Sequence, residues 1–190
     1  DLLVNVNDED ISYTASATFE YENSRNEIAK FLNCSSNEII FTKGTTESIN
    51  LVANSLSDFL FQKGDEIIIS EMEHHSNIIP WQLLSEKRKI TIKYIPISSQ
   101  GTLEIEKLPK MISDKTKLIS ITHMSNLLGL INPIENIISI AKNNNILTLI
   151  DAAQSISHLK VDVKKLDCDF LVFSGHKILG PTGVGILYGK

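Results

Sequence analysis

The chain has 190 residues, of which 42% are hydrophobic and 22% charged, with a formal net charge of −5. That balance describes one soluble globular domain with a real core; it holds no apolar run near the ~18 residues of a membrane span and no Lys/Arg cluster suited to nucleic acid. Two cysteines, Cys34 and Cys168, provide no disulfide framework and indicate a reducing compartment, and Asp1 follows no leader pattern, so a partial chain is expected.

Residues 1–16, opening with DLLVNVNDEDISY, show no sustained period and read as an irregular N-terminal segment. Helical spacing begins at Ala17 and predicts a helix over 17–31, ending before the turn-forming run NCSSNE. EIIFT at 38–42 reads as a strand, and GTTESINLVANSLSDFL as a helix with Thr45, Thr46 and Glu47 in its first turn. Next come the strand EIIIS, a loop-to-helix passage EMEHHSNIIPWQLLSEKRK, and the strand ITIKYIPI. A connection with a short helix leads to the strand KLISIT at 117–122, the helix PIENIISIAKNNN and the strand ILTLID at 146–151. The short helical stretch VDVKKL precedes the strand DFLVFS, and VGILYG closes the chain as a further strand. Strands alternating with helices predict an α/β domain with a mostly parallel central sheet, because parallel strands need crossover connections. No linker divides the chain, so 17–190 is read as one domain.

In such a sheet the loops past the strand carboxyl ends share one edge, where ligands bind. FSGHKILGPTGVG places Lys177 there, just past an apolar strand. It is either a solvated turn lysine or a partly desolvated amine able to form a Schiff base. The other strand ends bring Lys43, Gly44, Thr45 and Thr46; Glu73, His74 and His75; His123, Ser125 and Asn126; Asp151 and Gln154; and Ser174 and His176. KGTTES, opening a helix, suits an anion through free N–H groups, the helix dipole and two hydroxyls, although Thr45 could equally be an N-cap. It lacks the spacing of a Walker A loop, and Gly183-Val-Gly185 does not complete a dinucleotide fingerprint. Adjacent His74 and His75 point to opposite sides of an extended chain without further ligands at metal spacing, so no metal is expected; an imidazole there serves better to stack on a ring or carry a proton. Asp151 either caps the next turn or pairs with a protonated ring nitrogen. A phosphate cradle, a carboxylate for a pyridinium nitrogen, a stacking imidazole and a reactive lysine together describe pyridoxal phosphate.

FTKGTTESINLVAN, EMEHHSNIIPWQ, THMSNLLG, IDAAQ and LDCDFLVFSGHKILGPTGVGILYGK closely resemble the cysteine desulfurases and selenocysteine lyases of the SufS-like group, from about Ala17 to Lys190. The resemblance implies the large domain of a fold-type I pyridoxal-phosphate enzyme, incomplete here because the small C-terminal domain is absent. Carried over residue by residue, it implies that Lys177 holds the cofactor and moves the Cα proton. It implies further that Asp151 pairs with the pyridinium nitrogen, Gln154 bonds the ring phenolate, and His74 stacks on the ring. Thr45, Thr46, Ser174 and His176 would hold the phosphate, and Asn126 would lie beside substrate and cofactor. The reaction implied converts L-cysteine, or selenocysteine, to alanine and leaves an enzyme persulfide for iron–sulfur cluster assembly. A homodimer, a SufE-type sulfur acceptor and a cytoplasmic or organellar location come with it. The persulfide cysteine lies, in the family, beyond Lys190, and neither Cys34 nor Cys168 matches it; Cys168 is expected to pack in the core. VNDEDIS stands where a histidine- and arginine-containing stretch is expected. The 190 residues are therefore expected to form a cofactor cradle but not to turn over cysteine unaided. Another fold-type I enzyme, an aminotransferase or kynureninase-like lyase, and a non-catalytic remnant are the competing readings.

Overall fold

Isoleucine, leucine and valine fill the middles of β2 (Glu66–Ser70), β4 (Thr116–Thr122), β5 (Leu147–Asp151) and β6 (Phe170–Ser174). Runs without polar alternation suit strands covered on both faces. The computed structural model describes residues 8–190, with side-chain surroundings from Thr14 onward. With β1 (Ile39–Thr42), β3 (Thr91–Ile95) and β7 (Gly185–Gly189), the four strands form a seven-stranded sheet of order β1-β7-β6-β5-β4-β2-β3. β7 is antiparallel to both of its neighbours, and the other pairings are parallel.

Alternation along the strands splits the core into two layers. On one face Ile68, Ile119, Ile121, Ile150 and Leu171 pack against α1 (Asp8–Leu32), α4 (Leu108–Met111), α5 (Ile134–Asn143) and α6 (Val163–Leu166). On the other, Ile67, Ile69, Leu118, Leu149 and Val172 meet α2 (Thr45–Ser57) and α3 (Ile79–Arg88). Both long crossover helices carry the stripe that this requires: Ile49, Val52, Ala53 and Leu56 in α2, and Ile134, Ile137, Ile138 and Ala141 in α5, are buried.

The N-terminus departs from expectation. Residues 8–16, expected to be irregular, belong to α1, which starts at Asp8 rather than Ala17; residues 1–7 of that segment lie outside the described residues. No apolar period announces this part of the helix because it buries nothing among the described residues: Thr14 to Ser24 are exposed, and the first contact with the sheet is the Tyr21 ring edge-on to Phe41 at 5.0 Å. There the Arg25 guanidinium donates to the Ile39 carbonyl and lies 5.1 and 5.0 Å from the ring centres of Tyr21 and Phe41, while Ala29 and Leu32 enter the core.

One glycine governs how the functional edge closes. Gly185 starts β7 opposite both Thr42 of β1 and Ser174 of β6. A Cβ on it would lie 2.3 to 2.6 Å from backbone atoms of Gly44, immediately before α2. Only a residue without a side chain lets the N-terminus of α2 press against the end of β6. Gly185→Ala is expected to destabilise the chain by about 1–3 kcal/mol, read as a lower urea midpoint; an unchanged midpoint would mean that the approach is not tight.

Candidate active site

The close approach brings α2 and β6 into direct contact through polar atoms. Thr45 N–H donates to Ser174 Oγ at 2.9 Å, and the two hydroxyls are 2.8 Å apart. Thr45 is therefore not the helix cap: Gly44 holds that position, without a side-chain bond, and Thr45 opens the first turn. The result is a group of hydroxyls at the positive end of a 13-residue helix, with Thr46 exposed beside it. Lys43 N–H is taken by the Glu47 carboxylate at 2.5 Å, which fixes the turn leading in.

Asp151 ends β5, the strand between β4 and β6, and is 3% exposed. Among the described residues its one side-chain hydrogen bond comes from Ala153 N–H to Oδ1 at 2.9 Å, so the turn-capping role exists. It leaves the second carboxylate oxygen without a protein donor. Burial pushes the carboxyl up to about 6, against the pull of that N–H and of the nearby His74 and Lys177. Gln154 follows, half-buried and with no side-chain bond.

Beyond β6, Gly175–Ile178 forms a 3-10 turn that carries His176 and Lys177. Of the two settings open to Lys177, the structure has the solvated one: both side chains are exposed. The turn rises past the strand end with Gly175 buried beneath it, so its side chains stand at the rim instead of inside the core.

On the opposite side, His74 caps the 3-10 turn His75–Asn77. Ser76 N–H donates to His74 Nδ1 at 3.2 Å, and Ser76 Oγ lies 2.8 Å from the same nitrogen. An Nδ1 that accepts puts the proton of the neutral ring on Nε2. His75 turns away, its ring nearly perpendicular at 84°. Behind His74 lies Glu73, 8% exposed, which accepts from Ser70 Oγ, from Thr122 N–H at 3.0 Å and from Asn77 Nδ2 at 2.7 Å. Burial pushes its carboxyl up to about 7 despite these bonds, and the charge of Asp151 adds to the rise.

A cavity of about 300 Å³ joins these groups. Thr45, Thr46, His74, Asn126, Asp151, Gln154, Ser174, His176 and Lys177 all line it, so the nine residues given cofactor or substrate roles stand around one space, whereas Lys43, Gly44, Glu73, His75, His123 and Ser125, which also follow strand ends, do not line it. Ser76, Thr122, Met124 and Ala153 also line it, and none of these was singled out as a site residue. Ser76 had a signal, since a hydroxyl two residues after a histidine can fix its ring. The buried network behind Glu73 had only the weak cue of an acid in EMEHHSN. Cys34 and Cys168 are free thiols that do not line the cavity; burial pushes them to about 11 and about 12, so both stay protonated at neutral pH. Cys168 is fully buried in the core, as expected. Among the described residues, no helix is long and apolar enough to cross a membrane, and no three His, Cys, Asp or Glu side chains converge as metal ligands.

Known proteins share this architecture. The cysteine desulfurase of Wigglesworthia glossinidia brevipalpis is 56% identical over 176 residues, 92% of this chain and 43% of its own length. The crystal structure of the cysteine desulfurase CsdA from Escherichia coli superposes with a TM-score of 0.89 at 36% identity, covering 98% of this chain and 47% of that one. The apo cysteine desulfurase of Thermococcus onnurineus NA1 gives 0.88 at 44% identity, covering 93% and 44%. The chain thus spans less than half the length of these relatives. Its fold is that of the cysteine desulfurases, and the aminotransferase class-V family model matches it from residue 1 to 190, so the chain belongs to the aminotransferase class-V family.

Proposed function

We propose that this chain is the pyridoxal-phosphate-binding part of a cysteine desulfurase. The observation that carries the reading is Asp151, a buried carboxylate with one oxygen free of protein donors, facing a cavity whose opposite walls carry hydroxyls, an imidazole and a lysine. A cationic N–H on the ligand supplies the partner that the protein withholds, and an anionic group suits the α2 end. Pyridoxal phosphate has both. When bound, it supplies an electron sink conjugated to the substrate amine.

The chain's own residues then have distinct tasks. Asp151 holds a proton on the ring nitrogen. Thr45, Thr46, Ser174 and His176 bind the phosphate, and Gln154 bonds the ring hydroxyl. His74, with its proton on Nε2, covers one ring face. Asn126 borders the substrate. The Lys177 amine anchors the cofactor and afterwards carries the Cα proton of the amino acid; its exposed position at the rim lets it reach both.

The substrate is L-cysteine or selenocysteine and the product alanine, with sulfur leaving as a persulfide on a cysteine beyond Lys190 and passing to a SufE-type acceptor for iron–sulfur cluster assembly. Protonated thiols outside the cavity make Cys34 and Cys168 unsuited to that attack. Residues 17–190 form the large domain of a homodimer that works in a reducing compartment, the cytoplasm or an organellar matrix. The names of the relatives favour this activity over other class-V chemistries.

Two outcomes test the reading. The chain titrated with pyridoxal phosphate should develop the visible band of lysine-bound cofactor, and Lys177→Ala should lose it together with about tenfold or more in affinity; an unaltered band in the variant would refute the role of Lys177. The second test concerns pH in the cofactor-free chain. Asp151 and Glu73 have folded values of about 6 and about 7, above their ordinary 3.8 and 4.5. The folded state therefore binds the extra protons, and their contribution to stability, complete below about pH 4, is lost as pH rises to about 7. Asp151→Asn should flatten part of this decline and leave the cofactor-free chain more stable than wild type at pH 8, on the order of 1–3 kcal/mol by urea unfolding. A variant less stable at pH 8 would show that the charge is compensated.

A further inference from the structure

Glu73 does not line the cavity, yet it is a buried carboxylate held by three hydrogen bonds. Two N–H donors, on Thr122 and Asn77, and the Ser70 hydroxyl face its two oxygens. Asn77 Oδ1 already takes Trp81 Nε1 at 2.9 Å and Ser120 Oγ at 2.6 Å, which fixes the amide so that its N–H points at Glu73 Oε2. Oε1 faces a backbone N–H of Thr122 and the Ser70 hydroxyl. Glu73 itself ties the end of β2 through Ser70 to β4 through Thr122, and its partner Asn77 extends the network to Ser120 of β4 and Trp81 of α3. What lies between the ties is the turn that carries His74.

A neutral side chain could fill the same space without burying a charge, so the carboxylate needs a reason beyond packing. The reason lies in the adjacent residue. We propose that Glu73 is the positioning residue of the site, clamping the turn of residues 71–77 to β4 from beneath so that His74 presents its ring to the cavity. Ser76 fixes the ring about its own bonds, and Glu73 fixes the backbone that carries it. The functional meaning of this clamp rests on the pyridoxal phosphate reading given above; the clamp itself is a statement about His74.

The test uses the full chain labelled with 15N-histidine, with the His74 ring signals assigned by their loss in His74→Asn. Glu73→Gln keeps the shape but turns an N–H2 toward the Asn77 N–H2. It should move or broaden the His74 ring signals, leave those of His158 and His176 in place, and weaken pyridoxal phosphate binding about tenfold. Adding Asn77→Asp gives the new amide an acceptor and should restore both readouts to within about threefold of wild type in affinity. Should Glu73→Gln not fold, Ser70→Ala removes the hydroxyl that donates to Glu73 and accepts from Met72 N–H, and is expected to shift the same His74 signals and weaken binding about two- to threefold. Lower thermal stability with unmoved His74 signals, in whichever variant folds, overturns the proposal and leaves Glu73 a packing residue. A wild-type chain that takes up no pyridoxal phosphate contradicts the cofactor reading, while the His74 signals still decide for or against the clamp.

Discussion

A carboxylate buried without a cation is costly, and this fold accepts that cost at the functional edge. Asp151 ends the strand between β4 and β6, so the groups around it come from both sides: α2 and the β6 turn on one, the β2 and β4 loops on the other. Desolvation dominates its proton affinity, and the local Ala153 N–H only partly offsets it. Glu73 compounds the problem by placing a second buried acid behind the first. Such an arrangement is stable only because two apolar layers, one on each face of the sheet, hold the strand ends in register. The electrostatic debt is what a cationic ligand group would relieve.

The same edge has an opposite pole. Gly185 leaves room for the chain at Gly44, and that contact lets the first turn of α2 meet Ser174. Hydroxyls and helix dipole gather on one flank, and buried acid in the middle. A ligand with a protonated ring and a phosphate matches the two poles at once, whereas a simple anion would face the acid and a simple cation would miss the helix. Lys177 and His74, both exposed at the rim, are free to act on what lies between.

Much of this was legible in the chain itself because parallel sheets put chemistry at strand ends. Apolar runs such as FLVFS and LTLID locate the ends, and the nine residues that converge are among the polar ones just past them. Three features were not legible, each for a physical reason. The N-terminal part of α1 has no apolar stripe, and its described residues from Thr14 to Ser24 are exposed, so periodicity started late. The exposure of Lys177 depends on how high a 3-10 turn rises above its strand, which spacing does not encode. The Glu73 network joins residues up to 49 positions apart, and only the register of β2 against β4 brings Ser120 and Thr122 beneath the His74 turn. Periodicity reports which face is buried, not which polar atoms meet across it.

The most direct measurement of the central claim is borohydride reduction of the chain after incubation with pyridoxal phosphate, followed by peptide mass spectrometry. The account predicts a pyridoxyl adduct confined to the peptide containing Lys177, lost when excess inorganic phosphate competes for the α2 end. Labelling scattered over surface lysines such as Lys87 and Lys110, or none at all, would contradict it.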